Sequence, residues 1–210
     1  MLAYIATAVA AYLLGSIPTG FLVAKARGID IRTVGSGNIG ATNTFRILGR
    51  TAGVFVLLAD ALKGWLAVVV VSRAVLHFLP DSAAIGHLQI AAGLSAILGH
   101  NFTVWLYFKG GKGIATSAGV LIALVPWALL IILGIWIILF LLTRYVSVAS
   151  ISAAFTLPFA TWLTTQRDIG LTAVTGAMAA LAIYKHRRNI QRLIEGTEGR
   201  IEFKKKGATT

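Results

Sequence analysis

Apolar residues along this chain come in runs long enough to cross a bilayer, separated by short segments that concentrate the lysines and arginines. A spanning helix needs about 20 mostly apolar residues. By that measure the pattern predicts helices over 2–24, 51–71, 82–100, 146–165 and 169–184, with a further apolar stretch over 114–142. Inside the first run, Gly15-Ser16-Ile17-Pro18-Thr19-Gly20 predicts a kink or local unwinding, because proline lacks the helical donor and crowds the preceding turn. The 114–142 stretch, broken only by Pro126, Trp127 and Gly134, reads as one helix or as two short ones hinged at Pro126. Two polar segments punctuate the first half. One runs over 25–50, and the other is a loop holding Arg73, Pro80 and Asp81. The basic segment 185–198 places Ile190, Leu193 and Ile194 on one side and predicts a short amphipathic helix lying along the interface.

The basic residues choose between the two readings of 114–142. One helix there gives six spans and puts Lys185, His186, Arg187 and Arg188 opposite the earlier basic loops. Two helices give seven spans, and only Arg73 and Arg167 then lie across the membrane from the other basic loops. The positive-inside rule favours seven, with the N-terminus outside and the C-terminus cytoplasmic, although neither half of 114–142 reaches a full span. No internal repeat is evident, which argues against a transporter built from inverted halves. The expected fold class is therefore all-α: a polytopic integral membrane bundle of about seven transmembrane helices. It forms one domain over 1–198, and a basic, flexible tail over 199–210 includes Lys204, Lys205 and Lys206.

Composition agrees. Of 210 residues, 57% are hydrophobic and only 12% charged, against about a quarter charged in soluble domains. The run at 2–24 has no basic residue before it and carries Pro18, so it reads as a retained helix rather than a cleaved signal. With no cysteine, disulfides, thiolate metal sites and cysteine nucleophiles are excluded. The net charge of +12 fits membrane topology and phospholipid or phosphate partners better than nucleic acid. His77, His87 and His100 stand without a second ligand at metal spacing, so no metal and no cofactor is expected.

Three polar clusters carry candidate chemistry. In Gly35-Ser36-Gly37-Asn38-Ile39-Gly40-Ala41-Thr42-Asn43 the glycines allow close backbone approach, and Ser36, Asn38, Thr42 and Asn43 supply short hydrogen-bonding groups. One helical turn brings Arg46 beside Asn43. The plain alternative is a flexible loop with a helix cap. In Phe108-Lys109-Gly110-Gly111-Lys112-Gly113, backbone amides and two cations make an anion cradle, although the first glycine spacing of a nucleotide loop is absent and Ile114 follows Gly113. The alternative is a basic turn at the membrane surface. The third cluster lies in the tail, where His186 and Asn189 are one turn apart. Asp60 and Lys63 share a helix face inside an apolar run, either as a neutralising pair or as part of a substrate site. Ser147 and Ser150 also share a face, better suited to helix–helix contact than to a head group.

These motifs resemble those of the bacterial acyl-phosphate-dependent glycerol-3-phosphate acyltransferases, the PlsY type. The resemblance rests on the Gly35–Asn43 stretch, on Phe108–Gly113, and on His186-Arg187-Arg188-Asn189-Ile190-Gln191-Arg192-Leu193 with Gly196 and Glu198. Asp60, Lys63-Gly64 and Arg144-Tyr145-Val146-Ser147 are similar to that family as well, whereas Val104 stands where proline is expected. The resemblance implies an inner-membrane enzyme of phospholipid biosynthesis with its motifs facing the cytoplasm. It would transfer a fatty acyl group from acyl phosphate to the 1-hydroxyl of glycerol 3-phosphate. It implies Ser36, Lys112, His186 and Asn189 as catalytic. Gly37, Asn38, Gly40, Thr42, Asn43, Arg46, Lys63, Lys109, Gly110, Gly111, Gly113, Ser147, Arg192 and Glu198 would bind substrate or phosphate. A membrane transporter of a phosphate-bearing solute is the alternative from another class.

Overall fold

The computed structural model describes residues 1–79 and 84–201, and the expected features at Pro80, Asp81, Ser82, Lys204, Lys205 and Lys206 lie outside them. Every regular element among the described residues is helical. The chain forms two compact units, Met1–Leu129 and Leu130–Thr210.

The first unit opens with α1 (Leu2–Ser16) and α2 (Thr19–Lys25), separated at Ile17 and Pro18 as the proline predicts. The segment expected as a loop over 25–50 contains a short helix, α3 (Ala41–Leu48). Its amphipathic spacing is too brief to stand out from a polar stretch. Gly49 ends it, and α4 (Arg50–Leu66) follows. The apolar run continues without a break through a π-helical turn at Ala67–Val71 into α5 (Ser72–Phe78), past the expected end at 71. Apolar content alone gives no stop signal there. Next come α6 (Ile85–Asn101) and α7 (Ile114–Leu124).

Pro126 divides the long apolar stretch. Val125 adopts an extended backbone (φ −144°, ψ 64°), and α8 (Pro126–Thr143) starts with proline in its first turn. In the second unit α9 (Val146–Thr164) and α10 (Ile169–Lys185) pack together, the latter capped by Asp168 accepting from Leu171 N at 2.9 Å. The tail helix, α11, is confined to Arg187–Ile194. Gly196, at φ +70°, turns the chain away before the expected end at 198. Among the described residues, four helical stretches are long and apolar enough to cross a membrane: Leu2–Lys25, Arg50–Phe78, Pro126–Thr143 and Val146–Thr164.

Helices in lipid gain little from burying apolar surface against one another, so close backbone packing holds them instead. In the first unit Ala11, Ala67, Ala92 and Ala96 form a fully buried seam among α1, α6 and the π-helical turn. The end of α1 is also stitched to the end of α6. Tyr12 Oη donates to Phe102 O at 2.6 Å, and Thr103 Oγ1 donates to Ser16 O at 2.6 Å. On the other flank α4 and α7 approach so closely that a Cβ on Gly119 would strike the Ala61 carbonyl. Neither backbone can yield cheaply, so Gly119→Ala is expected to destabilise the protein by about 1–3 kcal/mol. Thermal unfolding in detergent, with wild type as reference, measures this, and an unchanged melting temperature would refute the packing argument.

Candidate active site

In the first unit, each glycine-rich loop leads into a helix N-terminus. The loop before α3 is shaped by Asn43, which is buried. Its Oδ1 accepts from Ser36 N at 2.9 Å, while Nδ2 donates to Ile31 O at 3.3 Å and to Val34 O at 3.1 Å. Asn38 Oδ1 accepts from Gly40 N at 2.8 Å, closing a second small turn. Gly35 takes φ +59°, a conformation that side chains oppose. Asn43, expected as a ligand, is thus the clip of its loop. Ser36 and Arg46 are exposed, and Gly37, Gly40 and Thr42 are half-buried. Arg32 is forked onto Asp30, with Nη2 to Oδ2 at 2.6 Å, and that hydrogen bond lowers the Asp30 pKa to about 2.

The second loop begins with two aromatic residues, Tyr107 and Phe108, held at φ 53° and 61°. Such left-handed backbone in bulky residues stores strain. Phe108 N bonds Thr103 O at 2.9 Å and Lys109 N bonds Leu106 O at 3.0 Å, so the chain doubles back. Gly110 N then donates to Asn101 O at 3.3 Å, and Gly111 N to His100 O at 3.0 Å. The loop therefore lies along the end of α6. Gly113, in left-handed conformation, starts α7. Lys109 is exposed and Lys112 half-buried.

One apolar cushion supports both loops. Ile31 and Ile39, flanking the first, pack with Ala24 and with Leu106 from the turn before the second. The first-turn amides of α3 and α7 have no intrahelical acceptors, and each helix end carries partial positive charge. Together with Arg46, Lys109 and Lys112 they form two places suited to phosphate.

Beneath the second loop lies a buried charged cluster. Lys63 Nζ is 2.8 Å from Asp60 Oδ1 and donates to Ile17 O at 2.8 Å. Thr19 Oγ1 donates to Asp60 Oδ1 at 3.0 Å, and His100 Nδ1 lies 3.7 Å from the same oxygen. Lys63, expected among the substrate contacts, is committed to these protein partners. His100, read as an interfacial residue, is 95% buried at 5% exposure. A single sequence could not show either, because Ile17 meets Lys63, and Thr19 and His100 meet Asp60, only through folding.

In the second unit a carboxylate organises the expected residues. Glu198 Oε1 accepts from Ser147 Oγ at 2.8 Å and Asn189 Nδ2 at 2.7 Å, and Oε2 accepts from Arg192 Nε at 2.7 Å. Ser147 thus binds Glu198, whereas Ser150 accepts from Trp136 Nε1 at 3.1 Å. His186 is buried beside this clasp, its Nδ1 at 2.8 Å from Ala182 O. Because a carbonyl only accepts, Nδ1 carries the proton, and in the neutral ring Nε2 is the acceptor. No group of three or more metal-binding side chains occurs among the described residues.

An all-helical chain with membrane-length apolar helices and paired phosphate-suited loops is an integral membrane protein of phosphate chemistry in its class. A family model for glycerol-3-phosphate acyltransferase matches residues 5–196, and the chain belongs to that family. Among curated relatives, the glycerol-3-phosphate acyltransferase of Geotalea daltonii is 47% identical over 90% of this chain and 93% of its own length. That of Geobacter sulfurreducens is 48% identical over 94% and 97%. The crystal structure of PlsY (YgiH), an integral membrane glycerol 3-phosphate acyltransferase, in its glycerol 3-phosphate form is 40% identical. It superposes with a TM-score of 0.84 over 95% of this chain and 96% of that one. Its lysophosphatidic acid form gives a TM-score of 0.81 at 39% identity.

Burial alone would raise the Glu198 pKa, but the hydrogen bonds from Asn189, Ser147 and Arg192 outweigh it and leave the group below the ordinary range. A carboxylate depressed in the folded state adds stability that is complete above its unfolded pKa of about 4.3 and is lost as pH falls through the folded value. Glu198→Gln should therefore melt below wild type at pH 7, with the gap shrinking on acidification below about pH 4.3. A gap independent of pH, measured by thermal unfolding, would contradict this account.

Proposed function

We infer that this protein transfers a fatty acyl group to the 1-hydroxyl of glycerol 3-phosphate, forming lysophosphatidic acid, with acyl phosphate as donor and inorganic phosphate as second product. The observation that carries this reading is the pair of cationic, glycine-rich helix entrances resting on one apolar cushion. Two phosphate-suited places match a reaction in which acceptor and donor each bring a phosphate. The relatives named above supply the acceptor's identity.

The chemistry needs little from the protein beyond placement and charge. The hydroxyl of glycerol 3-phosphate attacks the acyl carbonyl, the bond from carbonyl carbon to bridging oxygen breaks, and its electron pair leaves on phosphate. Lys109, Lys112 and the amides at Gly113 and the start of α7 neutralise that developing charge, while Gly110 and Gly111, whose own amides bond the Asn101 and His100 carbonyls, shape the loop that carries the two lysines. Ser36, Gly37, Asn38, Gly40, Thr42 and Arg46 hold a phosphate of either substrate, with Asn43 keeping their loop in shape. A phosphate group, whose second pKa is about 6, accepts the hydroxyl proton. Acyl phosphates are already activated, so proximity accounts for much of the rate. In the second unit, His186 keeps its Nδ1 proton on Ala182 O, while Glu198 holds Asn189 and Arg192.

The basic segments support seven spans with the N-terminus outside, in the inner membrane of a bacterium, and both phosphate loops open to the cytoplasm. Surrounding phospholipid completes the setting. Because the chain has no cysteine, single cysteines report sidedness directly. One introduced at Thr33 should be shielded in intact spheroplasts from an impermeant thiol reagent, and one at Met1 should react. The reverse pattern would overturn this orientation.

Purified protein given palmitoyl phosphate and glycerol 3-phosphate should release phosphate and lysophosphatidic acid, and Lys112→Ala should lower kcat about a hundredfold. Palmitoyl-CoA in place of palmitoyl phosphate should give no product. A folded sample that forms neither product defeats the enzyme reading in favour of a transporter.

A further inference from the structure

The charged cluster beneath the glycine–lysine loop joins parts of the chain that the reaction itself does not touch. One oxygen, Asp60 Oδ1, gathers Lys63 Nζ at 2.8 Å, Thr19 Oγ1 at 3.0 Å and His100 Nδ1 at 3.7 Å. Lys63 extends the set to Ile17 O, at the break between α1 and α2. Asp60, Lys63 and His100 are at most 5% exposed, so the charges on Asp60 and Lys63 rely on protein partners. His100 also faces the loop. Its carbonyl accepts from Gly111 N, the neighbouring Asn101 carbonyl accepts from Gly110 N, and its ring fills the space a Gly111 side chain would need.

We propose that Asp60 is a positioning residue for acyl transfer: acting through His100, it fixes the backbone of Gly110 and Gly111 against the end of α6, and with it Lys112 in the phosphate-holding conformation. The proposal rests on the acyl-transfer reading above. Glycine backbone has the widest conformational freedom of any residue, so a loop built from it cannot define its own shape. The rigidity comes from what the loop is laid against, here the end of α6 and the imidazole. That ring in turn is oriented by a carboxylate which Lys63 and Thr19 hold still. Displacement of the loop backbone by about 1 Å would cost rate without abolishing binding.

Two measurements on the full-length protein in lipid nanodiscs test this. Asp60→Asn keeps the shape of the side chain and removes its charge. Amide hydrogen exchange over 109–113 should quicken, while the 35–40 loop exchanges as in wild type. The value of kcat/KM should fall about tenfold to a hundredfold, mostly in kcat. In a double-mutant cycle, adding Asp60→Asn to Lys112→Ala should cost little more than Lys112→Ala alone, because both act through one loop. Unchanged exchange over 109–113, or fully additive losses, would overturn the proposal. Should Asp60→Asn not fold, His100→Gln keeps the carbonyl to Gly111 but loses the imidazole. It must quicken the same amides, and normal exchange there would equally overturn the idea. A wild-type protein that turns over no glycerol 3-phosphate defeats the parent reading, whereas the exchange comparison still decides the positioning role.

Discussion

The ion pair between Lys63 and Asp60 is the interaction on which the first unit depends. A buried charge without a partner costs several kcal/mol in a low-dielectric setting, so these two side chains dictate where their neighbours go. Lys63 reaches the Ile17 carbonyl, which lies at the proline break in the first membrane-length run. Asp60 collects Thr19 from beyond the break and His100 from the end of α6. Three separate sequence regions are thereby brought together around one carboxylate.

From that cluster outward, order passes to segments that could not order themselves. The glycine–lysine loop lies along His100 and Asn101 through backbone hydrogen bonds, and its leading turn rests through Leu106 on Ile31 and Ile39. Those isoleucines bracket the other glycine-rich loop, which Asn43 holds from within. Both loops run into helix N-termini, where the amides that α3 and α7 leave without helical acceptors are suited to phosphate. The second unit repeats this logic around a second carboxylate. Glu198 draws Ser147, Asn189 and Arg192 onto its two oxygens, and α11 is oriented by that clasp more than by its apolar stripe.

Close-packed glycines recur where a neighbour leaves no room for a side chain. At Gly119 the contact is with a carbonyl, and at Gly111 it is with an imidazole. In lipid, such contacts replace the hydrophobic drive that packs soluble helices. Among the buried polar side chains, Asp60, Lys63 and His100 lie beneath the glycine–lysine loop.

Sequence by itself determined the helical class, the breaks at Pro18 and Pro126, and the glycine-rich basic segments suited to phosphate. Apolar run length, proline geometry and glycine–lysine composition are local properties, readable without neighbours. It did not determine where α4 ends within the run through Phe78, nor the short α3 inside a polar stretch. Periodicity is silent when every position is apolar and weak when a helix has two turns. Tertiary structure alone decided the work of particular polar residues: Asn43 as a clip, Ser147 as a partner of Glu198, Lys63 as a partner of Asp60, and His100 as the support of Gly111. A hydrogen-bonding side chain has the same composition whether it meets substrate or backbone, and only folding brings it within 3 Å of one or the other.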